Sequence, residues 1–110
     1  MALKPNWYYI LLSVGRGARH GQAITRDVLE FSGGETRLWP ATLYGTIQDL
    51  VDRGWIVEID LDDEKRRPDS SERKRYYGIT RAGKAAAEAE TRRLSDLVRL
   101  ARSVARGGSV

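Results

Sequence analysis

Apolar positions along the chain change period several times, and each change marks an element. Trp7, Ile10, Leu11 and Val14 recur at helical spacing, and the stripe stops at Gly15 and Gly17. After "RGARHG", the run "QAITRDVLEF" puts Ile24, Val28 and Phe31 on one face of a second, short helix that "SGGE" breaks. A third helix is expected from Pro40, which suits a first helical position because the N–H it lacks would be unpaired there, to Gly54, which suits a left-handed cap. Its core face is Leu43, Ile47, Leu50 and Val51.

From Trp55 the period shortens to that of a strand. "WIVEIDL" alternates Trp55, Val57, Ile59 and Leu61 against more polar positions, and "RKRYYGI" ends with Tyr77 and Ile79 on one face. The polar, proline-containing stretch between them reads as a hairpin loop. Thr80 then serves as the N-cap of a long helix rich in alanine, leucine, arginine and glutamate, with Leu94, Leu97, Val98, Ala101 and Val104 as its apolar stripe. The expected fold is mainly α with a small β-hairpin (α+β): a winged helix-turn-helix over residues 1–79, a C-terminal dimerisation helix over 80–106 and a frayed tail at 107–110.

Charge sharpens this picture. The net charge is only +4, but Glu58 to Glu64 holds five acidic and no basic residues, whereas Lys65 to Arg75 holds six basic and two acidic ones. The hairpin tip is therefore a basic wing. Cysteine is absent, which removes disulfides and thiolate chemistry and suits a reducing cytoplasm. The run "WYYILLSV" is too short to span a bilayer, so no membrane segment is expected. "DLDDE" lacks the glycine and glutamate spacing of a calcium loop and reads as a solvated strand end, so no metal is expected.

A helix-turn-helix reader needs a short second helix whose inner face packs on the domain while its first turns present small and polar side chains to base edges. The helix from Pro40 meets this. With Leu43, Ile47 and Leu50 inside, Ala41, Gly45 and Gln48 point outward, Thr42 and Tyr44 flank them, and Asp49 and Asp52 fall further along. Arg37 precedes the helix, and Lys65, Arg66, Arg67, Arg73 and Lys74 in the wing are placed to meet phosphates or the minor groove. The lone histidine, His20, reads as a cap or surface residue. Trp39 and Trp55 bracket the helix and are expected to anchor it, with a surface role as the alternative for Trp39, while Trp7 and Tyr8 are assigned to core or dimer packing.

The segments "ILLSV" (10–14), "HG" (20–21), "SGGETRLWPATLYGTIQDLVDRGWI" (32–56) and "RRPDSSERKRYYGITRAGK" (66–84), followed by the terminal helix, resemble the PadR-type transcriptional regulators in their short form. The pairing of "P-x-T-L-Y" with "R-Y-Y-x-I-T-x-x-G" carries the likeness. It implies a cytoplasmic, dimeric, DNA-binding repressor with Thr42 and Tyr44 near DNA and the terminal helix carrying dimerisation. Departures are Trp39 where a small residue is common, Ala41 where glycine is common, Gly78 in place of a bulkier residue, and a terminal helix without tryptophan.

With one histidine, no cysteine and no glycine-rich phosphate loop, the chain offers no catalytic set, and neither enzyme activity nor a cofactor is expected. The expected partners are a double-stranded, palindromic DNA operator and a second copy of the chain. A small-molecule effector is left open. The rival reading is a winged-helix protein-interaction module without specific DNA binding, against which the six basic wing residues argue.

Overall fold

A computed structural model describes residues 2–60 and 75–108. The chain runs α1 (Pro5–Gly15), β1 (Arg19–His20), α2 (Gly21–Phe31), α3 (Pro40–Asp52), β2 (Ile56–Ile59), β3 (Tyr76–Ile79) and α4 (Arg81–Ser103), and closes in one wide turn over Val104–Gly108. The first three helices lie where the sequence patterning places them, whereas α4 ends at Ser103, short of the expected Arg106. Pro5 and Pro40 open α1 and α3, and Thr80 caps α4 by accepting the Gly83 N–H at 3.0 Å.

The apolar stripes of the first three helices meet in one core. Ile10, Leu11 and Val14 of α1, Ile24 and Val28 of α2, and Leu43, Ile47 and Leu50 of α3 are buried together with Ile56 and Tyr77. Two polar side chains sit among them. Ser13 donates to Asp27 Oδ2 at 2.8 Å, tying α1 to α2, and Arg19 and Arg16 approach the same carboxylate at 3.5 and 3.8 Å. No buried side-chain nitrogen or oxygen among the described residues lacks a partner, as a polar group inside a small core requires.

The sheet has three antiparallel strands in the order β1-β3-β2, one more than the hairpin expected from sequence. The added strand is only Arg19–His20, paired with Tyr77 and Tyr76, and two residues are too few to show an alternating pattern. The alternation expected along β2 is corrected in part. Ile56 is buried and Val57 is 48% exposed, while Trp55 and Ile59 of the expected set are half-buried. Leu61 lies outside the described residues.

The junction of α3, β2, β3 and α4 is built around Thr80. Its backbone N–H donates to the Trp55 carbonyl at 3.0 Å, its hydroxyl donates to the Gly54 carbonyl at 2.6 Å, and its oxygen accepts from Gly83. Gly54, at φ 77°, takes the left-handed conformation that ends α3, while the Gly54 and Trp55 N–H groups return to the Val51 and Leu50 carbonyls at 2.9 and 3.0 Å. Gly83 lies directly against the Trp55 carbonyl, where a Cβ would collide with the oxygen. The T-x-x-G spacing is therefore a cap and a close approach in one motif.

Gly83, Ala87 and Glu90 are the buried residues of α4. Glu90 accepts two hydrogen bonds from Arg93, both at 2.8 Å. These hold its carboxyl below the usual glutamate value, and a hydrogen bond from the Leu3 backbone adds to the effect. The Tyr8 hydroxyl lies 2.8 Å from Thr91 Oγ1. Since the Thr91 proton goes to the Ala87 carbonyl, Tyr8 is the donor.

Gly83→Ala is expected to lower stability by about 1 to 3 kcal/mol, the usual cost of overpacking. Thr80→Val is expected to cost about 0.5 to 2 kcal/mol through the lost cap. Urea unfolding measures both, and an unchanged midpoint for Gly83→Ala would show that the junction opens freely. Because the folded-state value of Glu90 is depressed, its contribution is present above the ordinary value of 4.5 and lost as pH falls through the folded-state value. Glu90→Gln should accordingly flatten the acid limb of the stability curve, as thermal melts at stepped pH would show.

Candidate nucleic-acid interface

The outward face of α3 follows from its inward one. With Leu43, Ile47 and Leu50 buried, Ala41, Thr42, Tyr44, Gly45 and Gln48 are exposed together on the opposite side. The first turn contains no acidic side chain, so its free N–H groups carry the positive end of the helix dipole unopposed. Asp49 and Asp52 are exposed further along the helix.

Two residues of this face are already engaged. The Gln48 amide donates one N–H to Asp52 Oδ1 at 2.8 Å, one turn on, which leaves its second N–H and its Oε1 for another partner. Tyr44 lies with its hydroxyl end over Gly21, where a Cβ would collide with Oη and also approach Leu43. The first residue of α2 is thus the floor on which the Tyr44 ring rests. Thr46 donates back to the Thr42 carbonyl at 2.8 Å, whereas the Thr42 hydroxyl has no protein partner among the described residues.

His20 is the N-cap of α2, its Nδ1 accepting from the Ala23 N–H at 3.3 Å, and its ring stands edge-on to Tyr76 with centroids 5.5 Å apart. Trp55 is half buried and meets Trp7 edge-on with centroids 6.0 Å apart, with the Arg53 guanidinium close to both rings. Trp55 is therefore an anchor of α3. Trp39 is not one: it is 65% exposed, with the Arg37 guanidinium 5.1 Å from its ring centre. The buried residue beside it is Leu38, because the chain enters α3 extended at Trp39 and only Leu38 faces inward. The signal for this was present in the sequence, since a leucine next to a tryptophan at a helix entrance leaves room for one of them inside.

Arg75 at the base of the wing lies 3.9 Å from Glu58 across the hairpin. Lys65, Arg66, Arg67, Arg73 and Lys74 lie outside the described residues. Burial pushes the Tyr77 phenol above its usual value, so it remains the neutral core residue beneath the hairpin.

The second surface is on α4. Leu97, Val98, Leu100 and Val104 are 48 to 61% exposed, and Leu94 is half buried while Ala101 is exposed. Leu100 was not in the stripe read from sequence. A groove between Tyr8 and α4 is lined by Leu94, Val98, Arg99, Arg102 and Arg106. Trp7 is half buried within the chain's own core. No helix among the described residues is long and apolar enough to cross a membrane.

A short helix pair presenting the outer face of its second member, followed by a β-hairpin, defines a winged helix-turn-helix protein. The chain matches the Transcriptional regulator PadR-like family over residues 10–89, and it belongs to that family. Among solved structures it is similar to RosR of H. salinarum, at 25% identity and TM-score 0.66, covering 96% of this chain and 94% of that one. The complex structure hsRosR-S1 gives 27% identity and TM-score 0.67, with 96% and 92% covered. A PadR family transcription regulator from Clostridium difficile shares the fold at TM-score 0.73 and 16% identity, with 92% and 98% covered. No curated protein matches the sequence.

The contact between Tyr44 and Gly21 gives a direct test. Gly21→Ala should destabilise the chain, and most of that loss should vanish in a Tyr44→Ala background, a coupling of about 0.5 to 3 kcal/mol. A double-mutant cycle from urea titrations measures it, and additive losses would show that the ring does not rest on α2.

Proposed function

We propose that this PadR-type regulator is a homodimeric repressor that binds a palindromic double-stranded DNA operator, with α3 in the major groove and the wing on the backbone or minor groove. The observation that carries the reading is the exposed face of α3, where Ala41, Thr42, Tyr44, Gly45 and Gln48 stand clear of a buried Leu43, Ile47 and Leu50. Small residues at 41 and 45 permit close approach, and the polar ones supply hydrogen bonds to base edges and phosphates. Arg37 flanks this face, and Lys65, Arg66, Arg67, Arg73 and Lys74 add sequence-independent phosphate contacts.

Dimerisation through α4 supports the same reading. Beyond Glu90 the helix has no fully buried residue in its own chain, yet it carries Leu94, Leu97, Val98, Leu100, Ala101 and Val104. An apolar stripe of that length gains by pairing with a second copy. Trp7 and Tyr8 support the helix from beneath, through Trp55 and Thr91. Two-fold symmetry then places two copies of α3 on successive major grooves. The protein acts by occupying DNA, without chemistry of its own.

Operator selection from random DNA with the purified protein tests the whole proposal, since failure to enrich any duplex would overturn it. On an enriched duplex, replacing Arg66, Arg67 and Lys74 with alanine should reduce the salt dependence of binding by about 1 to 3 units on log axes, while base preference is retained. Gln48→Ala should relax preference at one base pair per half-site by about 1 to 3 kcal/mol. Asp52→Ala should strengthen binding, because it frees the Gln48 amide and removes a carboxylate near phosphates. Leu97→Glu should shift sedimentation from dimer to monomer.

A further inference from the structure

We propose that Trp39 is a specificity-determining DNA contact, with its indole placed against a thymine C5-methyl at the outer end of each half-site and Arg37 carrying the adjoining phosphate. The inference rests on the DNA-binding reading above, and it concerns a residue that the sequence assigns to anchoring the helix.

Three observations carry it. First, Trp39 is 65% exposed, although Leu38 beside it and Leu43 one turn on are buried. The entrance to α3 therefore has its anchor without the indole, and the indole N–H has no partner among the described residues. Second, the backbone that carries the ring is restricted and the ring has a charged neighbour while exposed. Trp39 is the residue before Pro40, a position restricted to extended backbone, and it adopts φ −79° and ψ 155°. The Arg37 guanidinium lies 5.1 Å from the ring centre, a cation–π arrangement that restrains the ring on one side and brings a positive charge with it. Arg37 makes no ion pair among the described residues. Third, the position is the N-cap of α3, at the end that the DNA-binding reading puts in the groove, and Ala41 and Thr42 just after it are exposed as well.

The chemistry of the groove selects the target. Among base edges in the major groove the apolar group is the thymine C5-methyl, and phosphates flank it on either side. An exposed indole matches the methyl, and a guanidinium beside that indole matches the phosphate. Restricting the ring beforehand lowers the ordering cost of the contact.

The other two tryptophans make the test clean. Trp7 and Trp55 are half buried and packed on each other at the far end of α3, about 20 Å away along a helix of this length, so emission lost in Trp39→Phe reports the near end. The duplex used is one enriched from random DNA by the wild-type protein. Binding should quench the Trp39 emission and shield it from iodide. Each thymine of the duplex is then replaced by uracil in turn. One position per half-site should weaken wild-type binding about fourfold, the worth of one buried methyl, and the same replacement should have no effect on Trp39→Ala.

Trp39→Ala should itself bind about tenfold more weakly with an unchanged melting temperature, as expected for a contact residue with no core role. Retained binding with Trp39 still open to iodide, or a uracil scan identical for wild type and Trp39→Ala, would overturn this inference and leave the DNA-binding reading standing. Failure of the wild type to enrich any duplex would overturn that reading instead.

Discussion

The hydroxyl of Thr80 is where the structure is joined. Through one side chain and one N–H it takes the carbonyls at the end of α3, caps the start of α4 and closes the end of β3. The Trp55 carbonyl it holds is the one against which Gly83 packs, and the Trp55 ring meets Trp7 of α1. Four elements thus share a few atoms. The C-terminal end of α3 is fixed there by backbone hydrogen bonds and steric contact, which a single apolar cluster in so small a domain could not do as sharply. Its N-terminal end, where Trp39 and Ala41 stand exposed, carries no comparable set of bonds.

That asymmetry separates, along one short helix, the work of folding from the recognition proposed for it. Leu43, Ile47 and Leu50 supply the burial, and the side chains between them are left without a structural duty. Tyr44 is the exception, since its ring lies on Gly21 and so couples the exposed face to the start of α2. Gln48 is held by Asp52 rather than by the core. Such a bond on an exposed face is worth little net, which makes it easy to exchange for a base edge.

Much of this was legible in the sequence because helix ends depend on local chemistry. Pro40, Gly54 and Thr80 mark their boundaries through φ restriction, left-handed backbone and side-chain capping, none of which needs distant contacts. The outward face of α3 was legible for the same reason, being the complement of an apolar stripe. What was missed depends on tertiary placement. The strand at Arg19–His20 exists only because Tyr76 and Tyr77 offer it an edge. The buried residue of β2 is Ile56 and not Val57, and period alone does not reveal phase. Trp39 was assigned to anchoring from its size, when the choice between it and Leu38 is settled by which of the two the extended entrance turns inward.

The same junction determines how α4 and α3 are connected. Among the links from one to the other are the Thr80 cap with Gly83 against Trp55, and α1, where Tyr8 bonds Thr91 while its neighbour Trp7 packs on Trp55. Both meet at Trp55, immediately after the residue that terminates α3, and α1 also packs directly on α3 in the core. In the proposed dimer, a rotation of α4 against its partner would therefore reach α3 through Trp55 and through α1, and would move its exposed N-terminal end, where a small angular change is magnified over the length of α3. Close packing at Gly83 makes that link stiff, so in the proposed dimer the spacing between the two copies of α3 would follow from how the α4 helices meet.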